Sequence, residues 1–404
     1  MKIENQAFTF LVDEALREAG RTQAGTALVR LVDQLLGTAA TLGASDLHIE
    51  PRAEAVHLRY RVDGVLREPL PPLPIALHAS LTARLKVMAG MDITGHQLPQ
   101  DGHITHLGSG EPVDVRVSSL PGTHGEILVL RFLARDDRLL SLDELGFTPE
   151  NLALFRTLIH GSAGLVIITG PMNSGKSTTL YAAIAELADP GTSIVTLEDP
   201  VERQLPGICQ VQMNERVGLT YPVALRALLR QDAEKILLGE IRDEKTAEMA
   251  VRIALTGHLV LTTLHTEDTA TAIARLREMG IPPYLLAATL RGIVSQRLVR
   301  RLCPQCREKA AGTRPSPPRY RSAPPPTGGG IGCETCHGTG YAGRIALHEI
   351  LPVTPAIRQA ILDGAPTSAI RDIQCAAGLP TLETDARAKI AANLTTATEL
   401  HRVL

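Results

Sequence analysis

A chain of 404 residues is too long for one small core, and its 44% hydrophobic content is ample for globular folding, so two or three domains are expected. A formal net charge of −2 excludes a bulk electrostatic preference for nucleic acid, and 3% aromatics with no Trp argue against stacking on single-stranded bases. The N-terminus lacks a signal-peptide pattern and no apolar run reaches the roughly 18–20 residues that span a bilayer, so a soluble, cytoplasmic chain is expected.

Phe8, Leu11, Val12, Ala15, Leu16 and Ala19 recur at helical spacing, with Asp13, Glu14, Arg17 and Glu18 opposite. That helix either packs on the following domain or docks a partner. Gly20 to Gly25 reads as a linker, residues 27–42 as a second helix and Ser45–Glu50 as a strand. Val56, Leu58 and Tyr60 alternate with His57, Arg59 and Arg61 ahead of Asp63-Gly64, a hairpin signal. Leu77–Met88 reads as a helix, and Val113–Val117 and Ile127–Leu133 as strands. A small α+β domain over residues 26–135 is therefore expected after the N-terminal helix and linker of 1–25.

Beyond residue 136 the pattern changes. Apolar runs at Leu165–Thr169, Ser193–Leu197, Ile236–Leu238 and Leu259–Leu264 alternate with helical stretches at Lys176–Leu187, Pro222–Arg230, Lys245–Leu255 and Thr269–Met279. Such alternation predicts a mainly parallel sheet with crossover helices, an α/β fold. Residues 311–330, rich in Pro, Gly, Ser and Arg, read as a flexible loop, and the last stretch, 346–404, as helical.

Gly170, Pro171, Met172, Asn173, Ser174, Gly175, Lys176 and Ser177, followed by Thr178, fit the phosphate-loop pattern GxxxxGK[ST] between an apolar run and a helix. Glycines allow backbone N–H groups to turn inward as an anion nest, and the helix N-terminus adds partial positive charge. Lys176 is expected to reach the β- and γ-phosphates of ATP, and Ser177 to ligate Mg²⁺. Asn173 stands where a further Gly is often found, and Asn tolerates left-handed backbone.

Hydrolysis also needs a carboxylate to orient water and help hold Mg²⁺. Ile236 to Glu240 reads as a buried strand ending in an acid, which makes Glu240 the natural general base. Glu198 and Asp199 follow another strand, and His265 a third, where it is either a γ-phosphate sensor or a structural histidine. In a parallel sheet these strand ends share the edge at which ligands bind. Cys303-x₂-Cys306 and Cys333-x₂-Cys336 supply four soft ligands in two knuckles, suited to a closed tetrahedral Zn²⁺ site, with redox activity as the alternative. Cys209 and Cys375 are isolated and read as packing residues.

The stretches Glu198–Glu202, Gln210–Gln212, Gly218–Thr220, Ala227–Asp232, Gly239–Asp243 and Thr256–His265 closely resemble the type II secretion and type IV pilus-assembly ATPases. The resemblance extends upstream through Ala44–Pro51, Arg61–Gly64, Pro99–Gly102 and Asp114–Ser118, and downstream through Gln296–Pro304 and Gly340–Arg344. It implies a RecA-like ATPase domain over 136–404, a zinc insertion at about 300–345 and a preceding PAS-like domain. It further implies a homohexamer that binds ATP between the two domains and works with inner-membrane platform proteins and, indirectly, pilin-like subunits. Glu198–Glu202, Gly239–Asp243 and His258–His265 match the acidic box, the second Walker motif and the histidine box. Arg116 and Arg131 match arginines that approach the γ-phosphate in the closed state; otherwise they are only charged residues on alternating strands. The cysteine cluster is a feature of assembly-type rather than retraction-type members. Departures are His96, Gln97 and His103 in place of basic residues, Ala233 and Glu234 after Gln231-Asp232, and little of the family's N-terminal docking domain. A nucleic-acid translocase and a nucleotide-gated scaffold without catalysis are the alternatives. The first lacks a basic track with interleaved aromatics; the second is opposed by Lys176, Glu198, Glu240 and His265 together.

Overall fold

Alternating apolar side chains in the first third, and continuous apolar runs after it, produce two different sheets. The structure, a computed structural model, describes residues 2–19, 26–106, 113–133, 138–310 and 332–404. The expected linker at Gly20 to Gly25 and the expected loop at 311–330 lie outside them. The chain divides into two compact units, Met1–Asp137 and Arg138–Leu404.

The first unit runs α1 (Lys2–Ala19), α2 (Thr26–Leu42), β1 (Asp46–Pro51), β2 (Ala55–Val62), β3 (Val65–Arg67), β4 (Leu73–Pro74), α3 (His78–Met88), β5 (Gln100–His106), β6 (Val113–Gly122) and β7 (Gly125–Leu133). Its sheet has the order β3-β2-β1-β7-β6-β5, with β4 on β2, and every pairing is antiparallel. Asp63 and Gly64 both take positive φ (50° and 81°), as a tight two-residue hairpin turn requires. Burial alternates along β2. Val56, Leu58, Tyr60 and Val62 therefore face a core shared with Phe8, Val12 and Ala15 of α1 and Leu31 and Leu35 of α2. The N-terminal helix is thus an integral layer of this unit. On the other face, register aligns His103, Arg116, Arg131, Asp46 and Arg61 in one row across β5, β6, β7, β1 and β2.

The second unit runs α4 (Pro149–Ile159), β8 (Gly164–Thr169), α5 (Lys176–Leu187), β9 (Ile194–Glu198), β10 (Cys209–Gln212), α6 (Tyr221–Leu228), β11 (Lys235–Leu238), α7 (Glu244–Leu255), β12 (Leu259–Leu264), α8 (Thr269–Glu278), α9 (Pro283–Thr289), β13 (Leu290–Leu302), α10 (Pro304–Ala310), β14 (Tyr341–Pro352), α11 (Pro355–Leu362), α12 (Thr367–Ala376), α13 (Leu382–Ala391) and α14 (Ala397–Val403). The strand order is β10-β9-β11-β12-β8-β13-β14, parallel throughout except for the antiparallel β13–β14 edge. Every residue of β8, β9 and β12 is buried, because helices cover both faces of a parallel sheet. The chain leaves β8 for β9 by passing over β12 and β11, and later adds β13 on the other side of β8. That switch in direction opens the crevice at the carboxyl end of β8, where an α/β sheet binds its ligand.

Besides the two-residue β4, four strands are absent from the sequence reading: β5, β10, β13 and β14, the last running to Pro352 inside the stretch expected to be helical. Their runs carry Gln, Arg, His and Glu where a simple apolar pattern is expected. In β13 Arg291 and Ser295 find partners inside the fold: Arg291 donates to the carbonyls of Leu158 (3.0 Å) and Ala163 (3.3 Å), and Ser295 to that of Glu267 (3.1 Å).

Candidate functional site

β8 delivers the chain to Gly170, and the loop from there to Gly175 bends through positive φ at Gly170 (149°), Asn173 (61°) and Gly175 (86°) before α5 begins at Lys176. Side-chain size forbids much else at two of these points. A Cβ on Gly170 would overlap the Gln296 carbonyl oxygen, and one on Gly175 would stand 2.8 Å from the Gln296 amide nitrogen. Lys176 Nζ folds back onto the loop, donating to the carbonyls of Gly170 (2.8 Å) and Pro171 (2.9 Å), and lies 3.4 Å from His265 Nδ1. Burial lowers the Lys176 ammonium to about 8, with nearby Glu240 pulling the other way and Arg297 adding to the fall.

The loop residues fit a phosphate on this geometry. Ser174 Oγ is buried without a hydrogen-bond partner, and the one cation in the loop is satisfied only by carbonyls and an imidazole. Ser177 and Thr178 stand in the first turn of α5, the former half-buried and the latter exposed. That places the Ser177 hydroxyl where a phosphate-bound Mg²⁺ could be ligated. Met172 projects from the loop tip, 77% exposed.

The ends of β11, β12 and β9 bring the acids to the same edge. Thr263 Oγ1 donates to the Gly239 carbonyl (2.8 Å) and Ile241 N to the Thr263 carbonyl (3.1 Å), so β11 and β12 hold Glu240 and His265 together. Glu240 Oε2 lies 3.1 Å from His265 Nε2, while Oε1 takes the Arg242 guanidinium at 2.6 Å, which also reaches Asp199 at 3.1 Å. Lys176 can only donate to His265 Nδ1, so the imidazole carries its proton on Nε2, toward Glu240. Lys176, His265 and Glu240 thus form one polar line.

Glu198 is placed differently. It is buried within β9, and neutral donors occupy both its oxygens: Tyr181 on Oε2, Thr196 (2.5 Å) and Gln210 (3.0 Å) on Oε1. In the first unit, Arg116 and Arg131 face each other across β6 and β7, and Arg131 Nε donates to the buried Asp46 carboxylate at 3.0 Å. His96, one of the departures from the family pattern, bonds Glu126 at 2.7 Å; the fully buried Lys86 and Ser119 reach the same carboxylate at 2.8 and 2.7 Å. Tyr181, Gln210, Arg242 and Asp46 were not singled out as site residues by sequence reasoning. Three of them lie beside or within quoted motifs, but the bonds that give them a role depend on register.

Cys303, Cys306, Cys333 and Cys336 converge with sulfur separations of 3.7 Å (303–333), 3.9 Å (306–336) and 3.6 Å (333–336). Disulfides are excluded at that spacing. Four sulfurs each 2.3 Å from a central ion are about 3.8 Å apart in a regular tetrahedron, so the cluster is compatible with Zn²⁺. The N–H groups of Cys333 (3.1 Å) and Gly340 (3.2 Å) point at the Cys336 sulfur and favour its thiolate, while burial pushes the neighbouring Cys306 thiol up.

No helix among the described residues is long and apolar enough to cross a membrane. The profile of the family described as "Type II/IV secretion system protein" matches residues 22–402. Among curated relatives, the type II secretion system protein HxcR of Pseudomonas aeruginosa is 45% identical over 95% of this chain and 78% of its own. The type II secretion system ATPase E of Vibrio cholerae is 42% identical over 93% and 75%, and the type IV pilus assembly ATPase PilB of Myxococcus xanthus 40% over 96% and 69%. In fold the chain is similar to the Legionella pneumophila ATPase DotB, with a TM-score of 0.66 at 21% identity over 91% and 93% of the two chains. It is also similar to the pilus retraction motor PilT with bound ADP, with a TM-score of 0.58 at 24% identity over 92% and 96%. A profile match over nearly the whole length, joined by relatives at 40–45% identity, means that this chain belongs to the type II/IV secretion system protein family and is a P-loop ATPase.

Proposed function

We propose that this ATPase is a cytoplasmic ring motor, a homohexamer docked on the inner face of the cytoplasmic membrane, that drives assembly of pilins or pseudopilins. The line Lys176–His265–Glu240 at the mouth of the phosphate loop carries the proposal, because it links a phosphate-binding cation to a carboxylate through one imidazole of defined tautomer. In it, residues 170–178 cradle ATP, with Lys176 on the terminal phosphates and Ser177 on Mg²⁺. Glu240 takes the proton of the attacking water, a role in which general bases contribute about 10²–10⁴ in rate. His265 reports the γ-phosphate to Glu240. Glu198, held by Tyr181, Thr196 and Gln210, would be the second acid that helps to hold Mg²⁺. Arg116 and Arg131 of the first unit meet the γ-phosphate when the subunit closes, countering charge that develops on the transferred group. ATP binding would close the domains, and hydrolysis would reopen them. Zn²⁺ on the four cysteines would be structural, which favours assembly or secretion over retraction.

Mass measurement with a non-hydrolysable ATP analogue tests the ring, and co-purification from membranes tests the platform. A monomer that brings down no membrane protein would refute both. Glu240→Gln is expected to bind MgATP normally and turn over about 10²–10⁴-fold more slowly; wild-type turnover would remove Glu240 as the base.

A further inference from the structure

Gln296 lies on β13, far downstream of the phosphate loop in sequence, yet it touches that loop at both ends. It is 2% exposed. Its amide nitrogen donates to the Ser174 carbonyl at 2.8 Å, and its amide oxygen accepts from Thr179 Oγ1, in the first turn of α5, at 2.8 Å. Its own main-chain carbonyl passes so close to Gly170 that only glycine fits there. β13 runs parallel to β8, with Ser295 paired to Thr169, which sets this register.

The consequence follows from the planarity of the peptide bond. In a trans peptide the C=O and the following N–H point in opposite directions. Holding the Ser174 carbonyl outward, against β13, turns the Gly175 N–H the other way, toward the concave side where the anion nest forms. Gly175 has a φ of 86° and no side chain to restrain it, so the external bond decides the orientation of that peptide. We propose that Gln296 is a positioning residue for ATP binding: its carboxamide clamps the Ser174–Gly175 peptide and the start of α5 in the phosphate-binding orientation before nucleotide arrives. The inference rests on residues 170–178 being the nucleotide cradle.

A glutamate at 296 separates this role from mere support. Protonated, its carboxyl is a near-isostere of the amide, with one donor for Ser174 and one acceptor for Thr179; ionised, it presents only acceptors to the Ser174 carbonyl. Burial raises the pKa of such a carboxyl, so protonation is accessible at mildly acid pH. MgADP affinity is measured by calorimetry on the full chain between pH 6 and 8.5, each variant as a ratio to wild type at the same pH, which removes the titration of Lys176. Gln296→Glu should bind close to wild type at pH 6 and at least about tenfold more weakly at pH 8.5. Gln296→Met, of similar shape but without polar atoms, should be weaker by about tenfold at every pH. Lys176→Ala should bind no MgADP.

If both Gln296 variants bind within twofold of wild type throughout while Lys176→Ala does not bind, the clamp is refuted and the cradle stands. A Gln296→Glu deficit that does not narrow toward pH 6 also refutes the clamp. Retained binding in Lys176→Ala would instead refute the cradle. Should Gln296→Met fail to fold, the pH-dependent ratio of Gln296→Glu decides alone.

Discussion

Nucleotide binding should draw about half a proton from solvent at pH 8 and about a tenth at pH 7. Lys176 is buried at the loop with two carbonyls and an imidazole as partners, and its ammonium is brought down to about 8. Glu240 stabilises the charged form there and Arg297 opposes it, so their combined effect leaves burial dominant. Terminal phosphates placed against Nζ supply the missing counter-charge and return the pKa toward or above its ordinary value. The proton taken up is the fraction of free Lys176 that is neutral: about one tenth at pH 7, half at pH 8 and three quarters at pH 8.5 by linkage. Titration calorimetry with MgADP, run at each pH in two buffers of different ionisation enthalpy, reads this number directly. Lys176→Arg keeps a permanent charge and should bind without the pH-dependent uptake. Uptake that stays flat between pH 7 and 8.5 in the wild type would refute a burial-lowered Lys176.

Other expectations concern what holds the second unit together. Asp385, buried, accepts from Asn151 (3.3 Å), from the His348 main chain (2.9 Å) and from the buried Lys389. Asp385→Ala should therefore cost about 3–5 kcal/mol, because it strands a buried ammonium. For a body spanning 138–404, at about 2.1 cal/mol/K per residue, that is roughly a 7 °C fall in Tm; a shift under about 1 °C would contradict it. Burial alone would raise the Glu399 carboxyl, but Arg300 and Arg402 outweigh it and hold it at about 2, against 4.5 ordinarily. A depressed carboxylate contributes stability above pH 4.5 that is lost as pH falls from there toward 2. Glu399→Gln should lose that part of the acid slope in melts from pH 6 to 3; parallel curves would refute the assignment. Cys303→Ser or Cys333→Ser should remove bound zinc, about one ion per chain, and lower Tm, with chelation of the wild type doing the same. Unchanged melting after chelation would exclude a structural metal.

Much of the candidate site was legible because it is local in sequence. Gly170 to Ser177 shape one loop and one helix start, so their pattern lies within one short run of sequence. The four cysteines likewise announce themselves through two short knuckles, and Glu240 and His265 through the ends of apolar runs. Helices and strands with a regular apolar period emerged from the same reasoning, with α5 and β12 bounded as expected.

What the tertiary structure decided depends on register between distant segments. β13 carries Gln296 and four arginines among its apolar residues, so its period is obscured, and only pairing with β8 shows that Gln296 lies under the phosphate loop. Glu198 looks like a free acid after a strand; folding surrounds it with Tyr181, Thr196 and Gln210. Arg116, Arg131, Asp46 and Arg61 come from four strands, and the antiparallel register alone sets them in one row. A motif encodes the geometry of its own backbone. Partners that arrive from across a sheet are specified by strand order and packing, which no local pattern contains.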